Sequence, residues 1–198
     1  MEVRDALDQL DRIHEQLTRG EVYRGFRVPA VALVGCLGLL AAAGQVWVVP
    51  PGEPLTFVYY WSAIGTVGAF MGFGAAVRSY LFREDEYERR RTRRVMGQFL
   101  PCVLAGGLLT VALARTAAFV PLLPGAWALV FGLGVVAVRP YLPRAVGLVG
   151  AGYVLVGGLL LAWLPAESPG WSVGGVFGGG HLITALILRH TTGGESDA

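Results

Sequence analysis

Six stretches of this chain contain no Asp, Glu, Lys or Arg: Val28–Gly52 (25 residues), Pro54–Val77 (24), Val95–Ala114 (20), Thr116–Val138 (23), Ala145–Ala166 (22) and Ser168–Leu188 (21). A helix needs about 20 mostly apolar residues to cross a bilayer, and every stretch reaches that length. Six in succession do not fit a signal peptide or one buried core helix. Lipid offers no hydrogen bonds, so such segments must satisfy their own backbone as helices. Strand alternation is missing, which excludes a β-barrel. The sequence therefore predicts an all-α integral membrane protein with six transmembrane helices.

Composition points the same way. Of 198 residues, 54% are hydrophobic and 15% charged, against roughly a quarter charged in ordinary soluble domains. Mean hydropathy is +0.56. This excludes a disordered chain, and two cysteines exclude a disulfide scaffold. A nucleic-acid-binding domain with a spread basic face is excluded too, so the expected partner is the lipid bilayer and not nucleic acid.

The basic residues set the orientation. All 16 are Arg. Five lie in residues 1–27, seven in 78–94, two at Arg139 and Arg144, and one at Arg189. Only Arg115 falls on the other side. The positive-inside rule then places both termini in the cytoplasm. The charged first 27 residues make the first span its own insertion signal. Trp47, Trp61, Trp127, Trp163 and Trp171 fall near the outer helix ends, as in an interfacial aromatic belt. Cys36 and Cys102 read as small buried side chains. The absence of Lys and Asn points to a bacterial gene of high GC content, and so to the inner membrane.

Internal similarity is visible at three places. Val77-Arg78-Ser79-Tyr80-Leu81-Phe82-Arg83 resembles Val138-Arg139-Pro140-Tyr141-Leu142-Pro143-Arg144. Trp61-Ser62-x-x-Gly65-x-x-Gly68 matches Trp171-Ser172-x-x-Gly175-x-x-Gly178, and Val31–Gly35 resembles Val146–Gly150. Three consecutive helical hairpins of similar design would explain this. Convergence on generic membrane features is the alternative. Gly68 with Gly72, Gly174 with Gly178 and Gly175 with Gly179 are small-x-x-x-small pairs, which let helix backbones approach closely. Five of the seven residues in Gly174–Gly180 are Gly, which predicts a close crossing there.

Residues 1–27 are expected to hold a cytoplasmic amphipathic helix. Val3, Ala6, Leu7, Leu10, Ile13, His14 and Leu17 share one arc. Asp8–Arg12 and Glu15–Arg19 are favourably ordered i,i+4 pairs. The segment carries six acids against five Arg, whereas membrane-surface helices have basic polar faces. Its apolar arc (Leu7, Leu10, Ile13, His14, Leu17) therefore suits a protein dock: its own loop, a second copy or another partner. Residues 78–94, with seven Arg against four acids, are one such dock. They are expected to continue span 2 as a helix above the membrane. The run Arg89–Arg94 reads as a topology anchor on anionic headgroups, at about 1 kcal/mol per Arg. The segment 28–190 forms the membrane domain, and 191–198 is expected to be a disordered tail.

Ionisable groups within spans are functional suspects. His181 is the clear case, eight residues before Arg189 and so about 12 Å from the inner end. It is either a proton relay or ligand contact, or a neutral His bonded to a neighbouring helix. The second is preferred, because no Asp or Glu lies in any span to partner it. Arg115 could line an anion path, but snorkelling to the outer interface is preferred. Gly170-Trp171-Ser172-Val173-Gly174 matches a nucleophile pattern that needs a strand-to-helix elbow. Here it starts a helix, and His181 lies nine residues on, about 13.5 Å away.

No cofactor is expected. The three His are scattered, two axial His for a haem are missing, and without Lys neither a P-loop nor a Schiff base can form. The first functional expectation is a non-enzymatic assembly, regulatory or accessory membrane component. The second is a small solute transporter or channel with His181 or Arg115 on its path. The third, an intramembrane enzyme, would need Ser172 or Cys102 activated by His181.

Overall fold

The computed structural model describes residues 28–82, 86–163 and 170–193. Among them the protein is helical throughout, without strands. The helices are α1 (Val28–Val48), α2 (Pro54–Phe82), α3 (Glu86–Ala114), α4 (Leu123–Ala137), α5 (Arg144–Ala162) and α6 (Gly170–Gly193). Six segments are long and apolar enough to cross a membrane. The fourth joins α4 to the 3-10 turn Ala117–Leu122 that precedes it. Two prolines account for that change of geometry. Pro121 lies inside the 3-10 turn and Pro124 at the first turn of α4, where a missing backbone N–H costs nothing.

Consecutive helices run antiparallel, as their contacts demonstrate. Tyr60 Oη of α2 donates to Ala41 O of α1 at 2.7 Å, and Trp61 Nε1 to Gln45 Oε1 at 2.6 Å. Phe73 of α2 meets Phe99 of α3. Trp127 Nε1 of α4 donates to Thr110 Oγ1 of α3 at 2.8 Å. The alternation gathers Arg78, Arg89–Arg94, Arg139, Arg144 and Arg189 at one end of the bundle and all five Trp at the other.

Two helix pairs approach most closely, α1 with α6 and α4 with α5. Neither pair matches one of the sequential hairpins expected from the sequence. Glycine makes both approaches possible. In the first, Gly35 faces Gly178, Gly38 faces Gly174, and Gly170 faces Ala42. In the second, Gly125 faces Gly157 and Gly132 faces Gly150. A Cβ on Gly157 would sit 2.5 Å from Leu129 N and 2.8 Å from Gly125 O, inside the partner backbone.

Side chains fill two levels between these crossings. Near the Arg-rich end, Val31, Val95, Phe99, Val138, Leu142, Val146, Ala185 and Leu188 form one core. Toward the Trp-rich end, Ala41, Ala42, Phe57, Val58, Trp61, Val120, Leu123 and Val173 form the other.

Several expectations change in detail. Span 2 runs on as helix past Val77 to Phe82, residues 83–85 lie outside the described residues, and Arg89–Arg94 fall in the first turns of α3. The expected i,i+4 pair Glu86–Arg90 is present at 3.0 Å, while Asp85 lies outside the described residues. Of the five Trp, Trp47, Trp163 and Trp171 are exposed, as a belt requires. Trp61 is only 4% exposed, and Trp127 stacks on Phe57 at 6.5 Å. A Trp with its N–H satisfied inside the bundle is a packing residue. Cys36 is exposed, against the buried reading, and Cys102 is half-buried. α6 continues to Gly193, beyond the expected boundary at 190. The amphipathic segment 1–27, with Leu7, Leu10, Ile13, His14 and Leu17, and residues 194–198 lie outside the described residues.

Candidate functional site

His181 lies on α6 one turn after Phe177, so both side chains leave the same face. Gly180, beside it, has no side chain, and Tyr153 of α5 rests where a Cβ would stand. The close approach brings Tyr153 Oη to 3.1 Å from His181 Nδ1 and 3.2 Å from Phe177 O. His181 Nδ1 is itself 2.7 Å from Phe177 O. A carbonyl oxygen only accepts, so that 2.7 Å approach assigns the hydrogen to Nδ1, which donates to Phe177 O. Tyr153 Oη then donates to the same carbonyl. This carbonyl therefore serves two side-chain donors.

Aromatic rings enclose the trio. Phe131 of α4 lies 5.0 Å from the Tyr153 ring, 5.3 Å from Phe177 and 5.4 Å from His181, between centroids. Phe99 meets Phe131 at 5.5 Å and Phe73 at 5.6 Å. The chain Phe73–Phe99–Phe131–Tyr153–Phe177 thus joins α2, α3, α4, α5 and α6. Edge-to-face and tilted pairs of this kind contribute about 0.5–1.5 kcal/mol each beyond their buried area. The imidazole is one more flat ring in this stack, with one nitrogen committed to a backbone carbonyl.

The other sequence candidates lie apart from it. Arg115 is exposed in the turn after α3. Ser172 is in the first turn of α6, more than two turns from His181. Among the described residues no three His, Cys, Asp or Glu side chains gather closely enough to hold a metal. Comparison with known proteins finds no matching family model, no similar curated protein and no similar solved structure. The functional reading therefore rests on this chain's own geometry.

The candidate packing glycines divide. Gly174 and Gly178 lie in the α1–α6 crossing, and Gly68 is in ordinary contact with Val34 at 3.4 Å. Gly72 and Gly179 face open space, and Gly175 touches only the Trp171 ring, at 3.9 Å. These three do not carry a helix crossing among the described residues. The paired Trp motifs also differ, since Trp61 is buried and Trp171 exposed.

Sequence reasoning missed Tyr153, Phe131 and Phe177, whose contacts join three helices. It also missed Gly35, Gly38, Gly125, Gly132, Gly150 and Gly157. A signal for four of these exists: Gly125 and Gly132, like Gly150 and Gly157, are seven residues apart, the spacing that keeps two positions on one seam. Removing the Tyr153 hydroxyl tests the site's hydrogen bonding. Tyr153→Phe is expected to lower stability by about 1 kcal/mol, read from denaturant unfolding in detergent.

Proposed function

We propose that this chain is a multi-pass protein of a bacterial inner membrane, with both termini in the cytoplasm, and that it acts as a non-enzymatic assembly or accessory component. The membrane assignment is supported by rows of outward apolar side chains, among them Leu40, Phe70, Leu108, Leu148 and Leu155. Such a surface far exceeds the apolar patches that soluble monomers expose. The orientation is supported by the gathering of Arg at one end. The two glycine crossings, rather than three sequential hairpins, are the organising units in this reading.

The accessory role is carried by one observation, the enclosure of His181. Its Nδ1 donates to Phe177 O and its ring lies against Phe131. With Nδ1 committed, a transport path through His181 would have only Nε2, on a ring packed against Phe131, to exchange protons or bind solute, and Arg115 lies far along the bundle from it. The N-terminal segment, through Leu7, Leu10, Ile13, His14 and Leu17, is the proposed contact to a partner or second copy.

Two measurements test this reading. Single cysteines at Gly52 and Arg90, in a chain with Cys36 and Cys102 replaced, are expected to react with an impermeant reagent from the periplasmic side and only after lysis, respectively. The reverse pattern would overturn the orientation. Deletion of residues 1–20 is expected to abolish association measured in membranes. Solute flux in proteoliposomes that is lost on His181→Ala, in a variant that still folds, would overturn the accessory role in favour of transport.

A further inference from the structure

We infer that the cleft between α2 and α3, at the Arg-rich end of the bundle, receives the N-terminal segment of a second copy through the apolar arc of Leu7, Leu10, Ile13, His14 and Leu17. The inference rests on the assembly reading above and names the surface that this segment contacts. The cleft has a volume of about 190 Å³ and is lined by Val77, Tyr80, Thr92, Arg93 and Met96. Val77 and Tyr80 lie one turn apart on α2, and Thr92 and Met96 one turn apart on α3. These walls end in a basic rim. Arg93 donates to Tyr80 Oη at 3.3 Å, Arg89 lies over the Tyr80 ring, 5.7 Å from its centroid, and both Arg are exposed. Arg91, by contrast, is only 8% exposed and does not line the cleft.

The segment supplies the complementary surface. Residues 1–17 carry five acids against two Arg, and residues 78–94 seven Arg against four acids, so −3 meets +3. The acids are not spread evenly. At 100° per residue Asp8, Asp11 and Glu15 follow one edge of the apolar arc, with Asp11 nearest to it. An amphipathic helix seated in a groove places its anchors at i, i+3, i+4 and i+7. Leu10, Ile13, His14 and Leu17 have that spacing. One direction of the helix in the cleft lays the acidic edge along the rim of Arg89 and Arg93.

Charge selects this occupant for the arc over a lipid surface. Anionic headgroups repel an acidic helix, and helices that lie on membranes have basic polar faces. The arc therefore needs cover from protein. In the orientation proposed above, the Arg-rich end is the basic surface that this chain presents on the same side. Tether length permits the contact. Val28, where α1 begins, packs against the core that holds Val95 and Phe99 of α3, so the segment is tied to the bundle beside a wall of the cleft. Residues 18–27 span up to about 33 Å when extended, enough to reach an adjacent copy. One chain carries both arc and cleft, so two copies related by a two-fold axis satisfy both contacts at once.

The test uses the full chain in proteoliposomes, with Cys36 and Cys102 replaced. Leu10→Cys in one tagged copy and Met96→Cys in another are expected to join as a disulfide between copies on mild oxidation, which needs Cα atoms within about 7 Å. Asp5→Cys, on the opposite helix face, should not join Met96→Cys. Association is read by energy transfer between labelled copies. Arg93→Glu is expected to weaken it about tenfold by setting acid against acid. Adding Asp11→Arg to that variant should recover it. Arg144→Glu, at an exposed Arg of the same end, should leave it unchanged.

Cross-links confined to single copies would overturn the exchange and fill the cleft with the chain's own segment. Association lost on deletion of residues 1–20, with no cross-link between positions 10 and 96 and no loss in Arg93→Glu, would overturn the cleft alone and send the segment to another surface. Association that survives the deletion would overturn the assembly reading itself. Phosphatidylglycerol retained in native mass spectrometry and released by Arg93→Glu, with no cross-link, would overturn the proposal and assign the cleft to lipid.

Discussion

Gly157→Ala is expected to destabilise the protein by about 3 kcal/mol, at the upper end of ordinary overpacking, while Gly158→Ala next to it is expected to change stability little. The two substitutions are chemically identical and lie on the same helix. They differ in what the new methyl meets. At Gly157 it would meet Leu129 N, Gly125 O and Leu129 Cα of α4, all within 2.9 Å. These are backbone atoms, which no rotamer change can move, so α4 and α5 would have to separate. At Gly158 nothing lies within 4 Å. Separation is costly because helices in lipid are held by close contact rather than by a hydrophobic drive. Gly174 and Gly179 form the same contrast in α6: a Cβ at Gly174 would run into Gly38 O and Ala42, while one at Gly179 would meet open space. Chemical denaturation of the four variants in one detergent measures the effect. Equal losses within each pair would show that the crossings do not hold the bundle together.

This contrast also explains what the sequence could and could not disclose. Six helices were legible because a span is a local property: Val28–Val48 or Arg144–Ala162 can be recognised from its own residues. The sorting of Arg and Trp to opposite ends was legible because it follows from span count. Which glycines pack was not. Gly174 and Gly175 are adjacent and belong to equivalent small-x-x-x-small pairs, yet only Gly174 faces Gly38. Helix rotation decides between them, and in a chain with 29 glycines the motif alone does not report rotation. Arg91 was hidden for a related reason. The five Arg within 89–94 look alike in sequence, but of them only Arg91 is buried, on the inward face that Thr92, Val95 and Phe99 share. His181 was legible as an unusual residue. Its neighbours Phe131 and Tyr153 were not, because they come from α4 and α5 and look like ordinary apolar filling.

Phe131 is where truncation in this aromatic cluster should cost most. Phe131→Ala is expected to destabilise by about 3 kcal/mol, the lower end of the scale for a core ring replaced by methyl, because Phe131 is partly buried. Its ring touches those of Phe99, Tyr153, Phe177 and His181, so its loss leaves four partners facing a void between four helices. His181→Phe keeps a ring in the stack and gives up the bond to Phe177 O, so its cost is expected near that of one hydrogen bond, about 1 kcal/mol. The order of the two effects separates packing from chemistry. If His181 serves the stack, a phenyl ring substitutes for it and Phe131 matters more. If the imidazole is the reason the site exists, Phe131 is only its wall, and His181→Phe should produce the larger defect in whatever the cell requires of this protein. Unfolding free energies for both variants, set beside their growth or assembly phenotypes, decide between these readings. A loss below 1 kcal/mol for Phe131→Ala would remove the aromatic chain as a stabilising element and reopen His181 as a working group.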